Sequence, residues 1–317
     1  MISRQLWRAL NNPPRHHPLF QYVLTHAKRE EPKVTPGFFM WAFMCSSLTF
    51  FWTIVLDWVP YLLLGLLILL NTVYALRWVL RISATIVAEK EQRRYDLLAS
   101  LPIGLLGTSW AISTGCVHRR SSFRWMPYLI LLGTFSVGCM LSLFITMTVA
   151  IIESHALGGQ DAIGNLNLMQ LGIMGLASMI VFYFDHIYSI LTAVLIGQIV
   201  TIDLNNSAEA QIRALLGFLA LQFSLYVLIY GIVMVALPKI WVFLGFSGLG
   251  MIASIAIIGI GLYILIRELL VKFLWQFLSQ SLDADEKEID LVMQPPHLLD
   301  KILKESEARR IRPLDIS

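Results

Sequence analysis

The chain has 317 residues, 57% hydrophobic and only 14% charged, with a formal net charge of +3. Soluble domains carry about 25% charged residues. This depletion, with a mean hydropathy of +0.69, argues against a large soluble helical protein.

Asp, Glu, Lys and Arg are absent from six long windows: Val34–Leu56, Trp58–Leu76, Trp125–Ile152, Ala162–Phe184, Ala214–Pro238 and Ile240–Ile266. A helix needs about 20 apolar residues to cross a bilayer. Inside lipid every backbone polar group must be satisfied, so such windows form helices or closed barrels. Barrel strands would alternate apolar and polar residues, and "YLLLGLLILL" does not. The expected fold class is therefore all-α, a polytopic membrane helix bundle of about six transmembrane helices with cytoplasmic interfacial helices. The expected spans are 38–57, 60–84, 126–152, 168–200, 211–237 and 241–266. They divide the chain into an N-terminal segment 1–36, a membrane domain 37–266 and a tail 267–317.

In chain order, residues 1–36 hold six basic residues (Arg4, Arg8, Arg15, Lys28, Arg29, Lys33) and precede the first apolar run, so no cleavable leader is expected. Span two contains Asn71, an intramembrane polar candidate. Arg77 and Arg81 follow at i, i+4 spacing near its inner end, where long basic stems can snorkel to lipid headgroups. The loop 88–125 holds six more basic residues, whereas 57–59 and 153–167 hold none. By the positive-inside rule the N-terminus, this loop and the tail are cytoplasmic, and the expected location is a plasma (inner) membrane. Within the loop, Pro102 and Gly104 break a first helix. A second helix is expected from Thr108 or Ser109 on the membrane surface, with Trp110 and the Arg119–Arg120 pair at the headgroup boundary.

Cys45, Cys116 and Cys139 form no CxxC pair and read as small apolar residues. Only Asp185 interrupts the charge-free run 162–202, which is long for one crossing. It is read either as two short spans turning at "FDH" or as one long helix continuing past the membrane. Sliding 71–89 by 114 positions onto 185–203 pairs Asn71 with Asp185, Tyr74 with Tyr188, Ile82 with Ile196 and Glu89 with Asp203. This weak internal repeat favours the long helix.

Ionisable groups at membrane depth are costly and default to functional candidates, so Asp185 and His186 are singled out with Asn71. A substrate path or proton coupling would use them; alternatively Asp185 sits near an interface or pairs with an Arg of a neighbouring helix. His186 has too few potential co-ligands for a metal site. No GxSxG, HExxH or GxxxxGK[ST] occurs, so no catalytic residue or bound nucleotide is expected. The tail 267–317 holds eight basic and ten acidic residues, which gives nucleic-acid binding no support.

The stretch Ile86–Pro102, "IVAEKEQRRYDLLASLP", resembles the loop after the second span in permeases of the ATP-binding-cassette type-2 transporter family. Glu89 and Glu91 match its acidic helix end. Asp96, Leu97 and Leu98 match its acidic–Leu–Leu step, and Leu101–Pro102 its close. Arg94–Tyr95 stands where the family carries Gly–Thr. "HPLFQYVLTHAKR" (17–29) is similar to the family's amphipathic opening helix. The resemblance implies a permease, an exporter in direction, that works as a dimer with a second permease copy or homologue. It also implies that Glu89, Glu91, Arg94, Asp96, Leu97, Leu98 and Pro102 couple to a separate cytoplasmic ATPase subunit, so that ATP is bound by that partner and the chain itself holds no cofactor. The alternatives are a non-transporting scaffold or assembly subunit of a membrane complex and, less well supported by motif, an intramembrane enzyme. If the coupling assignment holds, replacing Asp96 and Leu98 together uncouples ATP hydrolysis from transport while leaving folding intact; a wild-type transport rate in the double variant would remove it.

Overall fold

The computed structural model describes residues 1–11, 20, 59–92, 95, 104–118, 162–245, 248–285, 288–289 and 292. Every regular element among them is a helix. In order they are α1 (Ile2–Asn11), α2 (Val59–Glu91), α3 (Gly104–His118), α4 (Ala162–Val200), α5 (Ser207–Tyr230), α6 (Leu237–Phe243) and α7 (Gly248–Ser281). The expected spans 38–57 and 126–152 lie outside the described residues.

Among the described residues, three stretches are long and apolar enough to cross a membrane: Ile180–Val200, Ser207–Phe243 and Ala253–Ser281. Their surface is that of a membrane protein. In α5, Gln222 is buried whereas Phe223 is 71% exposed, and Leu216, Val227 and Tyr230 also face outward. A water-soluble helix does the reverse, turning its polar face to solvent.

The run 162–200 is one continuous helix, with no turn at "FDH". At 1.5 Å per residue it is about 58 Å long. It is also the centre of the bundle. Every residue from Tyr188 to Gln198 is buried, as expected of a helix that is apolar on all sides.

Its neighbours' directions follow from residue pairs. Asn71 meets Asp185 and Lys90 meets Thr201, so α2 and α4 run parallel. Gln222 meets Ser189 and Tyr226 meets Asp185, so α5 is antiparallel to α4. Tyr263 meets Asp185 and Glu268 meets Tyr188, so α7 is parallel to α4. The main core fills the C-terminal halves of the three parallel helices, with Ile82, Leu191, Leu195, Trp275 and Leu278 among its members.

Local chemistry explains the joints. Asn206 caps α5, its side-chain oxygen accepting from the backbone amides of Ala208 (3.0 Å) and Glu209 (3.5 Å). Before α6 the ladder widens to a π-turn at Gly231–Ala236, where the Leu237 amide donates to Ile232 O, five residues back. Pro238, which has no amide to donate, follows at once, so the shifted ladder leaves α5 and α6 continuous.

One helix boundary is corrected. Helix α3 starts at Gly104, not near Thr108, because Gly104 adopts a left-handed φ of 67° that sets the entry of the helix. Thr108 to Val117 are all buried, Trp110 packs edge-on against Trp275 (5.7 Å), and Ser113 Oγ accepts from Gln198 Nε2 (2.8 Å). The last helix runs on past the expected span 241–266. It continues to Ser281, because "RELLVKFLWQFLSQS" keeps an inward stripe of Arg267, Val271, Leu274 and Leu278.

Helices α2 and α4 approach closely at Gly197, where an added Cβ would sit 3.1 Å from Ile82 Cγ2 and 3.4 Å from Val79 O. Gly197→Leu therefore overpacks the α2–α4 contact and should cost about 1–3 kcal/mol. Adding Ile82→Ala should recover part of that loss, as read by thermal unfolding in detergent micelles.

Candidate functional site

The site is built around Asp185, the only charge in α4. No Asp, Glu, Lys or Arg precedes it in that helix, and none precedes Arg267 in α7. Asp185 is thus the lone charge of its helix, and Arg267 is the first charge of α7, with Glu268 and Lys272 after it. The fold brings the aspartate and the arginine together: Arg267 Nη2 lies 2.5 Å from Asp185 Oδ1, and both side chains are fully buried. An unpaired charge in such surroundings is prohibitively desolvated, so each is tolerated through the other.

The carboxylate accepts from further donors. Tyr263 OH (2.5 Å), Tyr226 OH (2.9 Å) and Ser189 Oγ (3.4 Å) also donate to Oδ1. Asn71 Nδ2 donates to Oδ2 at 3.2 Å. Arg267 Nε donates to Tyr263 OH (3.1 Å), and its guanidinium lies over the rings of Tyr226 (5.1 Å) and Tyr263 (5.5 Å). Gln222 Nε2 extends the network to Ser189 Oγ at 3.3 Å. The cluster draws side chains from α2, α4, α5 and α7.

His186 faces the other way. Its Nδ1 lies 2.8 Å from Asn71 Oδ1, and its ring stacks on Tyr74 at 5.5 Å. A carboxylate can only accept, so Asn71 turns its amide nitrogen to Asp185. Asn71 Oδ1, itself an acceptor, then requires the proton on His186 Nδ1. The tautomer of His186 is fixed through Asn71 by Asp185. Asp185 and Ser189 share one face while His186 lies about 100° away, so the three do not form a nucleophile–base pair. Among the described residues no three His, Cys, Asp or Glu side chains gather as a metal site would require.

A second cluster closes the C-terminal end of α2. Lys90 Nζ donates to the backbone carbonyls of Thr201 (2.5 Å) and Ile202 (2.8 Å), just beyond the end of α4. Glu91 Oε1 accepts from the amide of Ser207, the first residue of α5, at 3.3 Å. Tyr95 is buried, and its ring lies beneath Lys90 Nζ at 5.3 Å. The residue that departs from the resembled Gly–Thr pattern thus has a packing role.

A third contact holds α1 to the bundle. The Glu268 carboxylate accepts from the Ser3 amide (3.3 Å), the Ser3 hydroxyl and Tyr188 OH (3.3 Å). It lies at the amino end of α1, where a negative charge meets unpaired helix amides.

Of the residues singled out from sequence, Asn71, Asp185 and His186 converge. Glu91 lies in the second cluster, with Glu89 part-buried beside it. On α2, Arg77 is exposed and Arg81 half-buried. Arg94, Asp96, Leu97, Leu98, Pro102, Arg119 and Arg120 lie outside the described residues. Sequence reading missed Gln222, Tyr226, Tyr263 and Arg267, and drew the tail boundary at Arg267 itself. A signal was present: Asp185–Ser189, Gln222–Tyr226 and Tyr263–Arg267 are each polar pairs at i, i+4, hence on one face of their helices.

The chain matches no protein-family model, no curated protein and no solved structure.

Arg267→Leu leaves Asp185 buried without its cation and should cost about 3–5 kcal/mol. Asp185→Asn combined with Arg267→Gln should cost less than the two single changes summed, in thermal unfolding in detergent. Strict additivity would show that the two groups do not act as a pair.

Proposed function

We propose that this chain is the transmembrane permease subunit of an ATP-dependent transporter of the ATP-binding-cassette type-2 kind, coupled through residues 89–102 to a separate cytoplasmic ATPase. In this reading it works as a dimer of membrane subunits in a plasma (inner) membrane, and exports its substrate. The observation that carries the proposal is where the loop is rooted. It leaves α2 at Lys90–Glu91, which contact the end of α4 and the start of α5. A partner that displaces the loop therefore acts on three long helices at once.

Two further observations support it. Parallel α2 and α4 require an odd number of crossings between them if both span the bilayer. The charge-free window Trp125–Ile152 is long enough to supply one, as the six-span reading requires. The Asp185 cluster ties four helices by buried polar contacts, so a displacement at one helix has a physical route to the others. In this reading Asp185 and Arg267 join the moving parts and do not grip the substrate, since protein donors occupy both carboxylate oxygens.

That last observation also favours a second reading, a membrane scaffold subunit whose polar core serves only to fix the bundle. Purification of the tagged chain in mild detergent separates the two. The transporter reading expects a nucleotide-binding ATPase to copurify, with hydrolysis that responds to the permease. Recovery of the chain in a larger complex devoid of ATPase activity would overturn it in favour of the scaffold.

A further inference from the structure

Helix α1 turns its apolar side inward. Leu6, Ala9 and Leu10 join the main core, while Arg4, Gln5 and Arg8 are exposed. Its amino end is tied to α7, where Glu268 accepts from the Ser3 amide and hydroxyl. An amphipathic helix at a membrane surface ordinarily sinks its apolar face into lipid. Here that face is taken by protein, so charge is what α1 has left to offer a membrane. Arg4 directly follows Ser3, and Arg8 lies one turn further on the same face. The neighbouring face of α7 continues the pattern. Lys272 stands one turn past Glu268 and is exposed. Ile258, Leu265, Leu269 and Lys272 fall at i, i+7, i+11 and i+14, within about 60° of one another around the helix. The three apolar members are 40%, 55% and 57% exposed. This stripe runs out of the charge-free part of α7 and ends at a cation beside α1. Glu268 is the only acid in α1 or α7, and it is half-buried and engaged by Ser3 and Tyr188. The exposed charges of the two helices, Arg4, Arg8 and Lys272, are therefore all positive.

We infer that Lys272, Arg4 and Arg8 hold the headgroup of an anionic phospholipid whose acyl chain lies along Leu269, Leu265 and Ile258. The cations select a net-negative headgroup. The stripe selects a lipid over a soluble anion, which gains nothing from apolar contact. The length also fits. Ile258 to Lys272 is about 21 Å along the helix axis. One leaflet with its headgroups is half of about 40–45 Å. The headgroup plane then lies at Lys272, about 7.5 Å along α7 from Arg267. The Asp185–Arg267 pair sits just inside the hydrocarbon boundary. The lipid fastens α1 to α7 from outside, as Glu268 does from within. The inference requires only that α7 cross a bilayer and is independent of the transporter reading.

The test is lipid competition on the full chain in mild detergent, read by native mass spectrometry. Phosphatidylglycerol and phosphatidylcholine of equal chain length are supplied in equal amounts. The wild type should retain phosphatidylglycerol at least about tenfold over phosphatidylcholine, since several cations act on one negative headgroup. In Arg4→Gln/Arg8→Gln/Lys272→Gln the ratio should fall to about one. All three side chains are exposed, so the melting temperature of this variant in phosphatidylcholine micelles should match the wild type. The charge-preserving variant Arg4→Lys/Arg8→Lys/Lys272→Arg should keep the preference. Soluble glycerophosphate at the concentration of the lipid should not displace phosphatidylglycerol. Equal retention of the two lipids by the wild type, or an undiminished preference in the glutamine variant, overturns the site. Displacement by glycerophosphate overturns the lipid as its occupant in favour of a soluble anion.

Discussion

The contact between Asp185 and Arg267 is the constraint on which the rest of the bundle depends. Two ionised groups lie fully buried among apolar helices, where either alone would be intolerable. Their pairing fixes the rotation of α4 against α7. The donors gathered on the same carboxylate fix α2 and α5 as well, through Asn71 and Tyr226. Apolar packing alone permits many rotations at similar energy, because one branched side chain substitutes for another. A carboxylate that must receive an arginine, two tyrosines and an amide permits very few. The polar cluster thus specifies an arrangement that the apolar core then fills.

The same logic recurs at the end of α2 with weaker charges. There the partners are backbone groups beside helix termini, where the helix dipole leaves partial charge. Lys90 and Glu91 satisfy one terminus each, so that a charged stretch in an otherwise apolar chain acquires a structural reason. The bundle is consequently braced at two levels, by full charges at Asp185 and by dipole ends near Thr201. Between them α4 is buried on all sides, through Ile190, Leu191, Ala193 and Val194.

The weak internal repeat acquires a concrete meaning in this frame. Its register pairs Asn71 with Asp185, and those two side chains are hydrogen-bonded across 114 residues of sequence. Corresponding positions of two parallel helices meet when the helices pack side by side at the same height. Farther along, the match is offset by a residue, with Gly197 meeting Ile82. The small size of Gly197 lets α4 approach α2 closely, where a larger residue would have separated the helices.

Much of this was legible from residues alone. Charge-free windows identified the long helices, since a bilayer or an apolar bundle both exclude isolated charges. Asp185 and His186 stood out for the same reason, and Asn71 through the repeat. Helix periodicity is local, so it reports where helices run and which residues share a face. It cannot report which face of α7 turns toward which face of α4, and so it could not name Arg267, Tyr226 or Tyr263 as partners. Nor could it tell that α3 is enclosed, since Trp110 is as suited to a headgroup boundary as to an edge-on contact with Trp275. Those choices belong to tertiary packing, because a buried charge selects its partner across the bundle, among residues that are distant in sequence.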